Sequence, residues 1–138
     1  DFAIDQFDLP LMEVTQGTED LPALSCPGSI LRTIPGAEAE ALPWPRTLPD
    51  MIPIFHSGSR AWKTAAPESD LVSLLEYPRK EILLSGYAKN TETIAGASTW
   101  VTQSIGSGCL HLFGFRPHYR SWPHGNFEML LRAIFLNS

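Results

Sequence analysis

The hydrophobic positions along the chain predict a run of short strands. Residues 29–34 combine β-branched and aliphatic side chains between two Pro-Gly pairs, which favours a strand bounded by turns. The same reasoning predicts further strands, paired in an antiparallel or mixed way, at residues 52–55, 71–77, 81–85 and 97–104. Residues 35–53 are rich in proline and are expected to form an irregular surface connection.

Residues 109–115 form the most continuous apolar run of the chain. That pattern predicts a central strand buried on both faces. The Gly-Ser-Gly sequence at 106–108 predicts a turn leading into it. His111 lies within the run, and we expect a hydrogen-bonded core histidine there and not a metal ligand.

A C-terminal helix is predicted over residues 126–136. Its apolar positions follow helical spacing at Phe127, Leu130, Leu131 and Ile134. Asn126 is a suitable N-cap, and the helix is expected to pack on the sheet. Residues 1–9 favour a short amphipathic helix ended by Pro10, with a strand as the alternative. The predicted fold class is therefore α/β, with a mixed sheet, flanking helices and a helix at the C-terminal end.

Composition narrows the class of protein. A chain of 138 residues with 43% hydrophobic and 18% charged residues fits one soluble domain over residues 1–138. Its N-terminal residues do not have the pattern of a signal peptide, and we expect the given sequence to begin within a longer chain. No apolar run approaches the length of a membrane span. A net charge of −5 argues against nucleic-acid binding. Cys26 and Cys109 leave open a disulfide, two buried thiols or one of each.

Known catalytic and metal-binding patterns are absent from the sequence. The four histidines are not arranged as in a zinc site, and no Gly-x-Ser-x-Gly motif marks a nucleophilic serine. We therefore predict no catalytic residue, no metal ligand and no cofactor in this chain.

One loop has the composition of a binding site. It lies between the strongest strand and the C-terminal helix and contains Arg116, His118, Tyr119, Arg120, Trp122 and His124. A strand end beside a helix N-terminus is a common anion site, so Arg116 and Arg120 are candidates to hold a carboxylate or phosphate. The alternative, which we favour, is that the side chains only fix the loop, with Trp122 covering the sheet edge.

Several segments resemble a known bacterial domain. They are Cys-Pro-Gly-Ser at 26–29, Phe-His-Ser-Gly-Ser at 55–59, Leu-Ser-Gly-Tyr at 84–87, Phe-Gly-Phe-Arg-Pro at 113–117 and Pro-His-Gly at 123–125. Together they resemble the C-terminal glutamine-amidotransferase-like domain attached to some zinc carboxypeptidases of the carboxypeptidase A class. The resemblance implies the C-terminal part of a flavodoxin-like, class I glutamine-amidotransferase-like α/β domain. The missing first strands, and a peptidase domain holding the zinc, would precede Asp1.

The resemblance also implies a domain without catalytic activity. A working amidotransferase of this class has a Phe-His-Pro-Glu type segment where this chain has Phe-Arg-Pro-His at 115–118. A guanidinium cannot act as the general base. Our first hypothesis is a non-catalytic accessory domain that docks on or supports the peptidase domain. Its contact site would comprise Arg116, His118, Arg120, Trp122 and His124.

Two other functions stay open at this point. One is an independent module that binds a small molecule or anion through the loop at 116–124. The other is a residual hydrolase that uses Cys26 or Ser57 near His118. If strands are missing upstream, an unpaired sheet edge also predicts self-association.

Overall fold

The computed structural model describes residues 2–39, 48–66, 69–119 and 125–135. The helices within them are α1 (Phe2–Gln6) and α2 (Gly125–Phe135), with a short 3-10 helix at Thr91–Ile94. The strands are β1 (Leu11–Glu13), β2 (Ser29–Pro35), β3 (Ile52–His56), β4 (Trp62–Thr64), β5 (Leu71–Glu76), β6 (Leu83–Ser85), β7 (Ser98–Ile105) and β8 (Gly108–Phe113).

The eight strands form one sheet. Its main path runs β1-β4-β7-β5-β2-β3, while β6 pairs with β2 and β8 pairs with β7. The ladders between these strands are antiparallel. The α/β fold class with a C-terminal helix is thus confirmed. The flavodoxin-like assignment is not confirmed, because that fold is built on a mostly parallel sheet.

Most predicted elements are present with shifted ends. All six predicted strands occur, and α1 confirms the helix expected near the N-terminus. The strand expected at 81–85 begins only at Leu83, because Glu81 adopts a left-handed backbone with φ of 55°. β1 and β4 were not predicted, since three residues are too few to show a period.

The central strand is β7 and not β8, so the prediction for residues 109–115 was wrong. β8 pairs only with β7 among the described strands, and five of its six residues are half-buried. β7 instead has β4, β5 and β8 as neighbours and is buried on both faces, with Trp100 fully buried and Val101 1% exposed.

The burial of β7 could not be predicted from the sequence, because the strand contains several residues with hydroxyl groups. Each buried hydroxyl has a partner inside the fold. The Ser98 and Ser73 hydroxyls are 2.6 Å apart, Thr99 Oγ1 accepts a hydrogen bond from Tyr77, and Thr102 Oγ1 donates to the Leu110 carbonyl. Satisfied hydroxyls can occupy a core at little cost, whereas unsatisfied ones cannot.

Helix α2 packs on the protein with a different face from the one predicted. Asn126, Met129 and Arg132 are its buried residues, each at most 7% exposed. Leu131 and Ile134, which were expected to face the sheet, are exposed instead. The buried positions are spaced by three, which is also a helical repeat, so the apolar residues alone did not determine which face packs.

The predicted N-cap at Asn126 is also wrong. The helix begins at Gly125, so Asn126 lies inside the first turn. Its side-chain oxygen is buried and has no hydrogen-bond partner among the described residues. Such an unpaired acceptor costs on the order of 1–3 kcal/mol of stability.

Two predictions fall partly beyond these residues. The irregular connection expected at 35–53 includes residues 40–47, which are outside the described part of the chain. The same applies to residues 120–124, and therefore to Arg120, Trp122 and His124. Within the described residues, no helix is long and apolar enough to cross a membrane.

Gly114 joins the end of β8 to the rest of the sheet. Its N–H donates to the Thr99 carbonyl at 2.7 Å, and its carbonyl accepts from the Arg60 N–H at 2.5 Å. A Cβ at this position would lie 2.1 Å from the Arg60 carbonyl oxygen. Glycine is therefore required by the close approach of two backbones.

We expect Gly114→Ala to lower the free energy of unfolding by about 3 kcal/mol, because backbone must move to accept the methyl group. Gly108→Ala is the matched control, since its Cβ would meet its nearest neighbour at an ordinary 3.7 Å. Urea unfolding of both variants measures the difference. Equal stability of the two would contradict this account of Gly114.

Candidate functional site

Three strands present a row of side chains on the outer face of the sheet. Ile30 of β2 is paired with Phe55 of β3 on one side and Ser85 of β6 on the other. Residues along β2 alternate between buried and half-buried positions, and Ile30 is half-buried. Successive side chains of a strand point to opposite faces, so this row faces away from the main core.

Tyr119 forms one wall over this row. Its ring stacks on Phe55, with ring centroids 4.7 Å apart and an interplanar angle of 8°. Stacked aromatic pairs are stabilising beyond the area that they bury. Beside the stack lies a depression of about 520 Å³, which we call the outer cleft. It is lined by Gly28, Ser29, Ile30, Phe55, Ser85, Gly86 and Tyr119.

The turn after β6 is fixed against β2 at the edge of the outer cleft. The Ser29 hydroxyl accepts a hydrogen bond from the Tyr87 N–H at 2.8 Å and is 2.7 Å from the Tyr87 carbonyl, to which it donates. Gly86 has a φ of 100°, and a Cβ there would lie 2.5 Å from Ser29 Oγ. Only glycine allows both the turn and this approach.

The described lining of the outer cleft is uncharged. None of the described lining residues carries a formal charge at neutral pH, and their polar groups are backbone amides and the hydroxyls of Ser29, Ser85 and Tyr119. Binding sites of this kind are mainly apolar, with a few polar groups that orient the ligand. The geometry therefore suits an uncharged molecule with a flat apolar part.

The predicted loop site contributes only in part to this arrangement. Tyr119 lines the outer cleft, whereas Arg116 and His118 are exposed and do not line it. The Arg116 carbonyl accepts a hydrogen bond from the Tyr119 N–H at 3.2 Å, which forms the turn that places the tyrosine. Arg120, Trp122 and His124 lie outside the described residues, so their role stays a prediction.

His56 lies on the opposite face of β3, in the core. It is 3% exposed, and no other residue in the described part of the chain forms a hydrogen bond with either imidazole nitrogen. Its ring centroid is 6.4 Å from that of Tyr77. Burial lowers the pKa of His56 from 6.5 to about 4, because the charged imidazolium loses its hydration. The side chain is therefore neutral at physiological pH.

Cys26 does not have the environment of a nucleophile. Its Sγ donates to the backbone carbonyl of His56 at 3.8 Å, and burial raises the pKa of the thiol. A reactive cysteine needs the opposite shift. Both cysteines are free thiols, so the structure contains no disulfide between them, and both are half-buried and not fully buried.

The other hydrolase candidates are also not assembled. The Ser57 hydroxyl donates to the Pro27 carbonyl at 3.4 Å. In the described part of the chain, no hydrogen bond joins Cys26 or Ser57 to His118. A hydrolytic site of these residues is therefore not supported.

His111 is a hydrogen-bonded histidine, as predicted. Its Nδ1 accepts from the Trp100 indole at 3.3 Å, and burial lowers the pKa of His111. It is half-buried and not fully buried, because β8 lies at the side of the sheet. Within the ranges that the structure describes, no group of three or more His, Cys, Asp or Glu side chains is placed to hold a metal ion.

Comparison of the chain with family models, with curated proteins and with solved structures finds no match.

Sequence reasoning did not predict the outer cleft as a site. Six of its seven lining residues lie before residue 87, far from the loop that was favoured. A signal was nevertheless present. The resembling segments at 26–29, 55–59 and 84–87 are rich in glycine and serine, and such residues permit the close backbone approach of a ligand.

We expect His56 to make stability depend on pH. The unfolded chain takes up a proton near pH 6.5, whereas the folded chain does so only near pH 4. Stability should therefore fall as the pH drops through this window, by about 2 kcal/mol between pH 7 and pH 5. His56→Phe removes the titrating group and keeps a ring of similar size at this position.

Urea unfolding of the wild type and of His56→Phe at both pH values tests this expectation. The stability of the variant relative to the wild type should rise by about 2 kcal/mol on moving from pH 7 to pH 5. An unchanged difference would show that His56 is not buried in its neutral form.

Proposed function

We propose that this chain is a non-catalytic binding domain that holds a small uncharged ligand in the outer cleft. The single observation that supports this proposal is that residues far apart in the sequence meet at one depression. The cleft is lined by residues from four segments that are distant in sequence, at 28–30, 55, 85–86 and 119. Three of these four segments, at 28–30, 55 and 85–86, overlap segments that carry the resemblance described above.

The lining chemistry indicates the kind of ligand. Ile30 and the stacked rings of Phe55 and Tyr119 offer an apolar surface, and Ser85 adds a hydroxyl at the exposed edge strand. A ligand with a flat apolar group and a neutral amide meets both requirements. A free carboxylate or phosphate matches this lining less well, because none of the described lining residues carries positive charge.

N-acetylphenylalanine amide is a suitable probe, and N-acetylphenylalanine is its anionic counterpart. We expect NMR titration to show the amide shifting the backbone resonances of Ile30 and Ser85. Tyr119→Ala should weaken binding about fivefold through loss of the aromatic wall. Tyr87→Ala is the matched control, because this tyrosine is exposed and does not line the cleft.

Two outcomes of this titration would count against the proposal. One is equal binding of the amide to the wild type and to Tyr119→Ala. The other is tighter binding of the carboxylate that is lost in Arg116→Ala, which would assign binding to the loop and to an anion.

The exposed apolar residues of helix α2 favour a second function, which the resemblance to a peptidase-associated domain also suggests. Its outer face exposes Leu131, Ile134 and Phe135 at 51%, 58% and 69%. Adjacent exposed apolar side chains are a common mark of an interaction surface. We propose that this face docks on a peptidase domain of the parent protein, so that the chain acts as an accessory domain.

This accessory role predicts that the chain alone does not hydrolyse peptides. Incubation with peptides should release no C-terminal residues, because no described group is arranged for that chemistry. Release that a chelator abolishes would contradict the accessory role.

The exposed face should also promote association of the isolated chain. Light scattering is expected to show dimers that Ile134→Glu with Phe135→Glu converts to monomers, because buried apolar contacts would be replaced by charges. Lys63→Glu is a surface control on the far strand β4. A monomeric wild type would show that this face is not an interaction surface.

A further inference from the structure

A second pocket lies at the end of the sheet where the β7–β8 hairpin turns. It has a volume of about 330 Å³ and shares no described residue with the outer cleft. We call it the hairpin pocket. Its described lining includes Asp70, Val72, Thr102, Ser104, Ser107 and Cys109.

Three neighbouring strands bring side chains to this pocket on one face of the sheet. Val72 of β5 is paired with Thr102 of β7, and Ser104 of β7 is paired with Cys109 of β8. Cross-strand partners project to the same face, and Thr102 and Ser104 share that face because side chains alternate along a strand. The distance of 2.7 Å between Thr102 Oγ1 and Cys109 Sγ agrees with this arrangement. The pocket is therefore a consequence of two strand registers.

The hydrophobic core ends at this point of the sheet. Along the same face of β7, Trp100 is fully buried, Thr102 is 4% exposed and Ser104 is exposed. The Thr102 hydroxyl donates to the Leu110 carbonyl at 3.2 Å, so it is already used within the sheet. Thr102 thus forms the inner wall of the pocket, and the groups that a ligand can reach lie further out.

Exposed residues supply the polar groups that a ligand can reach. They are Asp70, Ser104 and Ser107. Among the residues that the structure describes, Asp70 forms no ion pair, so its carboxylate oxygens are available as acceptors. A serine hydroxyl can both donate and accept a hydrogen bond. The accessible part of the pocket therefore suits a ligand that makes several hydrogen bonds of both kinds.

The same lining argues against three other classes of ligand. An anion would meet the Asp70 carboxylate, the only charged group of the described lining. A large apolar molecule would find a single aliphatic side chain there, that of Val72. A simple cation would gain little, because ion pairs with exposed carboxylates are weak in water. A neutral molecule with several hydroxyl groups has none of these disadvantages.

We propose that the hairpin pocket binds a neutral polyol of about the size of one sugar ring. Ligand pockets usually enclose roughly 300–1,000 Å³, so a pocket near the lower limit suits a single ring. Hydroxyl groups of the ligand donate to the Asp70 carboxylate and exchange hydrogen bonds with Ser104 and Ser107, while ring C–H groups lie against Val72. The site is separate from the outer cleft and does not rest on the proposed function.

A set of small ring compounds tests this proposal. The probes are the methyl α-pyranosides of glucose, galactose and mannose, with tetrahydropyran as a ring that has no hydroxyl group and glucosamine as a cationic sugar. We expect NMR titration of the whole chain to show at least one glycoside shifting the backbone resonances of Ser104 and Ser107. The Kd should be on the order of 1–10 mM, and tetrahydropyran should cause no such shift.

Two variants at exposed positions assign the binding to the pocket. Asp70→Asn keeps the shape of the side chain but removes its charge, so binding of the glycoside should weaken about fivefold. Asp50→Asn is the matched control, because this carboxylate is also exposed and does not line the pocket. Ser104→Tyr fills the pocket and should abolish binding. Spectra without ligand show that each variant is folded.

The Cys109 thiol provides a second measurement on the unmodified protein. It lines the pocket and is half-buried. A bound glycoside should slow its alkylation by iodoacetamide in proportion to occupancy of the site. Cys26 is the internal reference, because it does not line the pocket and its rate should not change.

Several results would overturn the proposal. They are absence of binding by all three glycosides, equal binding of tetrahydropyran, or glycoside binding that neither Asp70→Asn nor Ser104→Tyr weakens. Binding of glucosamine alone would show a cation site instead. Shifts confined to Ile30 and Ser85 would place the sugar in the outer cleft and would also overturn it. None of these outcomes bears on whether the outer cleft binds N-acetylphenylalanine amide.

Discussion

Strand β2 connects the two parts of the sheet, and the positions of the other elements depend on its pairing. Its first residues pair with β3 on one side and β6 on the other, while Ile34 and Pro35 pair with β5. Because residues of β2 alternate between two faces, this one strand contributes side chains both to the core and to the outer surface of the sheet. Leu31 and Thr33 enter the core, and Ile30 forms the floor of the outer cleft. A slip of one residue would exchange these faces and remove both.

The same alternation along β3 separates two chemical environments. Phe55 faces outward and stacks with Tyr119, whereas the next residue, His56, is enclosed by the core. On the outer side the aromatic surface is accessible to a ligand. On the inner side the buried imidazole is neutral, and because burial lowers its pKa, the fold is destabilised at acidic pH. The aromatic surface at the outer cleft and the loss of stability at acidic pH therefore both result from the alternation of side chains along β3.

Much of the secondary structure could be predicted from the sequence, because strands bounded by Pro-Gly and Gly-Ser-Gly turns leave clear local signals. Burial could not be predicted in the same way. β7 is the central strand although it carries several hydroxyl groups, since those groups find partners in neighbouring strands that the sequence does not reveal. The face of α2 that packs on the protein was predicted wrongly for a related reason. Buried Arg132 is paired with Glu128 one turn earlier, so an ionic residue occupies a position that hydrophobic spacing assigns to the surface.

The candidate site was predicted only at one of its edges. Tyr119 belonged to the predicted loop, but the floor and the opposite wall come from three other segments. Their meeting depends on two antiparallel registers, Ile30 with Phe55 and Ile30 with Ser85. A register is a property of strand pairs and has no local signal in one sequence. For this reason the glycine and serine positions could be predicted as turns from the sequence, but not as residues that line a cleft.

The outer cleft depends on Tyr119, which stacks on Phe55 and forms the wall of the cleft. The most direct test is a nuclear Overhauser measurement between the ring protons of these two residues in the unliganded protein. With ring centroids 4.7 Å apart, we expect strong cross-peaks together with upfield ring-current shifts of both rings. Absence of these cross-peaks from a well-folded protein would contradict the account, because the cleft would then lack its wall.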